Sequence, residues 1–214
     1  MTSALQLANP DTLVLAQDIY NERKQLQLQN LAGRSPIEAM VYELKQMDFF
    51  YQYKTLDTGE VTHVFFAHPK SIELYQWYPE VLLMDCTYKT NRFGMPLLNI
   101  MGTTSLGTTY YLGFIFLSGE TEEDYLWALK ELKIVMKGKD IIDPGVVITD
   151  RELALMNALE IVFPKTANLL CEWHISKAVL TYIKRERIFK KKGQRDDDEE
   201  AQKEEVSKQD NFMV

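Results

Sequence analysis

Two short apolar segments of the sequence each end in an aspartate. They are VLLMD at positions 81–85 and VVITD at positions 146–150. Such a run is typical of a strand in the middle of a sheet, where an ionised carboxylate is costly unless it is paired or binds a metal. If the two strands are neighbours, Asp85 and Asp150 repel each other and each raises the pKa of the other. A divalent cation such as Mg²⁺ or Mn²⁺, which binds carboxylate oxygens, would relieve that repulsion.

A carboxylate pair of this kind can hold two metal ions that act on a phosphodiester. One ion activates the attacking water or 3′-hydroxyl, and the other stabilises the leaving oxygen. The alternative is that each aspartate only caps the element that follows it, and Asp150, which precedes Arg151, is a plausible helix N-cap. The spacing of the residues leaves both interpretations open.

The cysteines and histidines offer a second candidate site at Cys171 and His174. The only other cysteine is Cys86, so the composition excludes a disulfide framework and a four-cysteine zinc module. A zinc ion at the C-x-x-H pair would need two more ligands, and Cys86, His63 and His68 form no second pair at metal spacing. We expect His63 and His68 on the surface of a hairpin.

Three basic residues lie close in sequence to the aspartates. Lys89 and Arg92 follow Asp85, and Arg151 follows Asp150. They could bind DNA phosphates, since basic side chains supply most non-specific affinity, or they could be ordinary solvated charges. The net charge of −7 does not by itself indicate nucleic-acid binding, but an acidic protein can carry a locally basic cleft.

The elements that must position these residues follow from periodicity and turn signals. Residues 80–189 read as β-β-β-α-β-α-β-α, with strands at 81–87, 96–104, 109–117, 146–148 and 167–170, which predicts a mixed sheet flanked by helices. A helical lead-in at 1–48, with a capping box at Ser35, and a hairpin and short helix at 49–79 form an N-terminal preface. The charged segment 190–214 is predicted to be disordered.

Nothing in the sequence indicates a membrane protein. The first ten residues, MTSALQLANP, lack the pattern of a secretory signal, and the longest nearly continuous apolar stretch, 110–117, is too short to cross a bilayer. We therefore expect a soluble intracellular protein.

Five motifs occur in order around the aspartates. They are DCTYKTN at 85–91, PLL at 96–98 with Gly102, TDRE at 149–152 with ALM at 154–156, FP at 163–164, and CEWHI at 171–175 with Lys177. In this order they resemble the Mutator-like element (MULE) transposase domain, in its fungal form. The segments around Asp18 and Ser35 also resemble the lead-in of that form, so the resemblance covers most of the chain.

The resemblance implies an RNase H-like α/β fold with a DDE/D active site. Asp85 and Asp150 would be the first two catalytic acids and the ligands of Mg²⁺ or Mn²⁺, and Cys171 and His174 would be the family C-x-x-H motif. The implied reaction is phosphodiester hydrolysis and strand transfer on DNA in the nucleus, within a transposition complex that could contain several copies of the chain.

The chain departs from the family pattern in two respects. The third acid of the family, a glutamate after a helical insertion, has no counterpart after Asp150, so the domain reads as C-terminally truncated and we expect it to be inactive alone. The upstream zinc module of the family has no counterpart either. A domesticated, non-catalytic descendant that binds DNA or regulates transcription is the alternative interpretation.

Overall fold

The computed structural model describes residues 15–184, so the predicted charged tail at 190–214 lies outside the described residues. None of the helices in the described range is long and apolar enough to cross a membrane. In chain order the elements are α1 (Ala16–Leu31), α2 (Pro36–Gln46), β1 (Phe50–Thr55), β2 (Val61–Ala67), α3 (Pro69–Trp77), β3 (Val81–Thr87), β4 (Leu97–Thr103), β5 (Thr109–Phe116), α4 (Glu122–Gly138), β6 (Val146–Thr149), α5 (Leu153–Val162) and β7 (Ala167–Leu170). A last helix, α6, covers 172–184, where the described range ends.

The predicted order of elements is confirmed from β3 onward. The bounds of β3 and β7 agree with the sequence prediction residue for residue. Strands β5 and β6 differ from it by one position at one end, and β4 by one position at each end. The predicted helix between β5 and β6 begins at Glu122, because Thr121 is its N-cap and accepts a hydrogen bond from the backbone N–H of Asp124. The capping box at Ser35, with Pro36 at the first helical position, is confirmed as well.

All seven strands belong to one mixed sheet with the order β1-β2-β5-β4-β3-β6-β7. Strands β3, β6 and β7 are parallel, whereas β4, β5, β2 and β1 pair antiparallel with their neighbours. The N-terminal hairpin therefore extends the same sheet instead of forming a separate layer. The predicted mixed α/β sheet flanked by helices is confirmed.

The hydrophobic core lies on one face of this sheet. Alternate residues of the central strands are buried there, and helices α3, α4 and α5 contribute to the same cluster. Its fully or nearly fully buried members include Leu82, Met84, Leu98, Ile100, Val147, Tyr125, Leu129 and Leu159. The residues between them on the strands, such as Leu83 and Ile148, are only half-buried. Because strand side chains alternate between faces, Leu83 and Ile148 point to this second, more open face of β3 and β6.

Gly102 on β4 has no room for a side chain. It lies opposite Tyr110 on β5, and a methyl group added at position 102 would overlap the Tyr110 ring. Glycine in a strand often marks such a close approach. The packing of the Tyr110 ring therefore explains why position 102 is a glycine.

His63 corrects the expectation that it lies on the hairpin surface, because only 2% of it is exposed. Its Nε2 lies 2.8 Å from Oδ1 of Asp124 on α4, and its ring lies 4.9 Å from that of Trp127. Asp124 also accepts hydrogen bonds from the hydroxyls of Ser118 (2.9 Å) and Thr121 (2.8 Å). The first turn of α4 contacts the start of β2 through His63 and Asp124, so the polar network joins the hairpin to the core. His68 is exposed as expected, and it caps α3.

The buried His63 predicts a loss of stability in mild acid. Burial lowers the pKa of His63 below 6.5, although Asp124 opposes the shift. The unfolded chain therefore takes up this proton first, and the free energy of unfolding should fall as the pH drops below about 6.5. The fall should end once the pH is below the folded pKa.

Urea unfolding of the unaltered chain and of His63→Gln across pH 5–7.5 tests this prediction. Glutamine can donate to Asp124 but does not titrate, so its curve should be flatter over that range, with a general loss of about 1–3 kcal/mol from imperfect packing and hydrogen bonding. Equal pH slopes in the two proteins would show that His63 is not the titrating group.

Candidate functional site

The pairing of β3 with β6 brings Asp85 and Asp150 to the same level of the sheet. Met84 pairs with Thr149 in this parallel ladder. Asp85 is the next residue of β3, and Asp150 directly follows the end of β6. Met84 is 2% exposed and Thr149 is fully buried, so both face the core. Side-chain alternation therefore directs Asp85 to the open face, and Asp150 stands at the end of the adjacent strand, about 4.8 Å away in a typical sheet.

His174 lies beside this pair of carboxylates. Its Nε2 is 3.6 Å from Oδ1 of Asp85, and the side chains of His174 and Asp85 are 31% and 39% exposed. Helix α6 is positioned by the backbone N–H of Cys171, which donates to the carbonyl of Thr149 at 2.7 Å. That bond places the first turn of α6, and with it His174, at the end of β6. The C-x-x-H motif therefore lies next to the two aspartates.

Nδ1 of His174 has no hydrogen-bond partner although the atom is buried. Cys171 is half-buried. Within residues 15–184, no group of three or more histidine, cysteine, aspartate or glutamate side chains is arranged to hold a metal ion. The zinc interpretation of Cys171 and His174 thus gains no further ligand from the described residues.

The pKa of Asp150 is raised above its usual value. Partial burial is the largest cause, and the negative charges of Asp85 and Glu120 add to it. The charge of His174 and a hydrogen bond from the backbone N–H of Glu152 act in the opposite direction. Asp150 is therefore held in a place where its ionised form is disfavoured, which is common at functional sites.

The interpretation of Asp150 as the N-cap of α5 is wrong. The cap is Glu152, whose carboxylate accepts a hydrogen bond from the backbone N–H of Ala154 at 3.2 Å. The carboxylate of Asp150 is left at the sheet end with Asp85 and His174, so capping does not explain why an acid stands at this position.

Glu120 is a third acid near the pair that sequence reasoning did not identify. It precedes α4 and accepts hydrogen bonds from the hydroxyls of Tyr88 (2.7 and 2.8 Å) and Tyr125 (3.1 Å). Burial raises the pKa of Cys86 to about 12, and Glu120 adds to that shift by accepting from the thiol. Cys86 is thus a protonated thiol at neutral pH. No sequence signal distinguishes Glu120 from the other acids around α4, because tertiary packing alone brings it here.

The three predicted DNA-binding residues are all exposed at this end of the sheet. Lys89 and Arg92 lie in the loop after β3, and Arg151 directly follows Asp150. Arg151 also lines an open hollow of about 380 Å³ together with Asp150, His174 and Cys171. Basic side chains therefore follow each acid along the chain, and Arg151 shares a hollow with Asp150.

The fold and site define an α/β protein with an acidic pair at the carboxyl ends of two adjacent parallel strands. The profile of the MULE transposase domain family matches residues 81–178, which run from β3 into α6 and include both aspartates. The chain carries a MULE transposase domain, as its motifs predicted.

Several curated proteins are similar to this chain. The PKS-NRPS hybrid synthetase cheA of Chaetomium globosum is 31% identical over 196 residues, which is 89% of this chain and 4% of that protein. The Arabidopsis thaliana proteins FAR1-RELATED SEQUENCE 5 and FAR1-RELATED SEQUENCE 6 are 28% and 32% identical over 66% and 64% of this chain. The chain spans less than a fifth of the length of each of these relatives (4%, 18% and 19%).

The raised pKa of Asp150 predicts that removing its charge stabilises the fold. A carboxyl group whose folded pKa lies above its unfolded pKa costs stability as the pH rises through that interval, and the cost is complete at neutral pH. Asp150→Asn should therefore raise the Tm at pH 7 and have little effect at a pH low enough to protonate Asp150.

Scanning calorimetry at the two pH values measures this difference. Asp140→Asn is a suitable control, because Asp140 is exposed beyond the far end of α4 and its positive φ of 53° suits asparagine as well. A lower Tm for Asp150→Asn at neutral pH would contradict the electrostatic account of the site.

Proposed function

We propose that this chain is the part of a DDE/D-type transposase domain that carries the first two catalytic acids and acts on DNA in the nucleus. The observation that carries the proposal is the side-by-side placement of Asp85 and Asp150 within the matched domain. Assembly of several copies in a transposition complex is part of the same proposal.

The topology supports an RNase H-like fold for the matched part. Its five strands have the order β5-β4-β3-β6-β7, with β4 antiparallel to its neighbours and β6 and β7 parallel to β3. The first acid then stands on the central strand, and the second follows the neighbouring strand. The family resemblance implies the first acid on the first strand of the domain and the second at the end of its fourth strand.

Asp85 and Asp150 would hold Mg²⁺ or Mn²⁺. Their oxygen donors suit these ions, which keep several waters and bind substrate phosphates in their other positions. Burial is the main cause of the raised pKa of Asp150, and the negative charge of Asp85 adds to it. A bound cation would relieve that added repulsion. When bound, the ion would supply activation of a water or 3′-hydroxyl and stabilisation of the leaving oxygen.

The other residues of the site would position the acids and the DNA. His174 contacts Asp85 and is placed to fix the orientation of its carboxylate. Lys89, Arg92 and Arg151 would neutralise phosphates on either side of the acids. A phosphodiester held by these cations would lie across the carboxylate pair.

Metal binding tests the role of the two acids. Calorimetric titration with Mn²⁺ should detect binding by the unaltered chain, and Asp85→Asn or Asp150→Asn should each weaken it by about tenfold or more, because each removes a direct ligand. Asp140→Asn, remote from the site, should bind as the unaltered chain does. Equal Mn²⁺ affinity in all four proteins would remove the basis for the proposal.

The described residues supply no third ligand for the pair, so we expect little or no DNA cleavage by the chain alone. Incubation of supercoiled plasmid with Mn²⁺ and the purified chain tests this expectation. Robust nicking that disappears in Asp85→Asn would show that the chain is an active nuclease by itself.

The same incomplete ligand group favours a second candidate function, which is a non-catalytic DNA-binding or transcription-regulating module. Such a module needs the basic side chains of Lys89, Arg92 and Arg151 to bind DNA, but it needs neither aspartate. Unchanged DNA affinity in the double variant Asp85→Asn/Asp150→Asn, together with no Mn²⁺ binding by the unaltered chain, would support this second function over the first.

DNA binding through phosphates predicts a defined salt dependence. Lys89→Gln, Arg92→Gln and Arg151→Gln should each reduce the slope of log affinity against log salt by roughly one, because each removes one phosphate contact. Fluorescence anisotropy with a labelled duplex measures the slope. Lys137→Gln, in the last turn of α4, is the matched control and should leave the slope unchanged.

A further inference from the structure

An exposed tryptophan stands beside the candidate active site. Trp173, in the first turn of α6, is 61% exposed. Its ring lies 4.8 Å from the ring of His174 in an edge-on arrangement, and Nε2 of His174 is 3.6 Å from Asp85. Only one side chain therefore separates the indole from a candidate catalytic carboxylate.

A lysine ammonium group lies over this indole ring. The ammonium group of Lys177, one helical turn further along α6, lies 4.6 Å from the centroid of the Trp173 ring. An aromatic ring with an adjacent cation suits a nucleotide, because the ring stacks on the base and the cation binds the phosphate. The same chemistry recurs in the loop after β3, where the Arg92 guanidinium lies 4.9 Å from the ring of Phe93, which is 62% exposed.

We propose that Trp173 is a stacking platform for an unpaired base of the DNA strand that lies across Asp85 and Asp150. The proposal rests on the proposed function and adds to it the form of DNA that the site receives. In duplex DNA the faces of the bases are already stacked on one another, so a free base face is available in a single strand or at a frayed end. The site should therefore favour single-stranded or frayed DNA over a blunt duplex.

The protein contains its own control for this proposal. Trp77, at the end of α3, is 77% exposed, but it precedes β3 and lies at the opposite end of the sheet from the acids. The remaining tryptophan, Trp127, packs against the core. Each single variant therefore leaves one exposed tryptophan as the fluorescent reporter. Trp77→Phe leaves Trp173, and Trp173→Phe leaves Trp77.

The experiment uses tryptophan fluorescence and anisotropy with oligothymidine and with a blunt duplex of equal length, in the presence of Mn²⁺. Stacking should quench the emission of Trp77→Phe when oligothymidine binds, and it should leave the emission of Trp173→Phe unchanged. Trp173→Ala should bind oligothymidine roughly tenfold more weakly, whereas Trp173→Phe retains most of the affinity and Trp77→Ala retains all of it.

The possible failures are distinguishable. If the unaltered chain binds neither form of DNA, the proposed function and the stacking role of Trp173 are both overturned. If it binds DNA but Trp173→Ala binds oligothymidine with unchanged affinity, or the emission of Trp77→Phe does not respond, the stacking role alone is overturned. Loss of a protein–protein contact in Trp173→Ala with unchanged DNA affinity would likewise assign this surface to a protein partner instead.

Discussion

The site depends on one feature of the backbone, which is the register of the parallel pairing between β3 and β6. Met84 opposite Thr149 sets both aspartates at the same level and on the same face. A slip of one residue on either strand would turn one carboxylate into the core, because strand side chains alternate with a period of two. The register is fixed by the burial of Met84 and Thr149 and by the pairing of β7 on the other side of β6. The same packing that stabilises the core therefore also positions the acids.

The fold holds the carboxylates of Asp85 and Asp150 close together although their negative charges repel each other. Burial, Asp85 and Glu120 all disfavour the ionised form of Asp150, whereas His174 and one backbone N–H favour it. Such an arrangement persists only when the surrounding structure enforces it. Here the enforcing structure is the buried strand β3, which carries Asp85, and the buried strand β6, which ends directly before Asp150. The exposed cations on the loops after β3 and β6 add positive charge around the acids without pairing with them in the described contacts. A charge distribution of this kind is suited to a ligand that brings both phosphates and a cation.

The sequence predicted the strands that carry the acids because each is a short apolar run that ends in a charged residue. It did not predict which partner each polar residue would find. His63 stands next to the apolar residues 64–67, and nothing in that pattern reveals that α4 covers it. Asp150 was a reasonable N-cap by position, but Glu152, two residues later, occupies the cap because α5 begins only at Leu153. Glu120 lies far in sequence from both acids, so its place near Asp150 follows only from the packing of α4 on the sheet.

The matched domain begins at β3, but the structure does not divide there. Strand β2 pairs with β5 through Val64 and Phe116 and removes what would otherwise be an open sheet edge. It also supplies His63 to Asp124, in the first turn of the helix that Glu120 precedes. The similarity to the fungal synthetase covers 196 residues, so it must include part of this lead-in as well as the matched 81–178. The hairpin is thus a structural part of the domain, and through α4 it supports the end of the sheet where the acids lie.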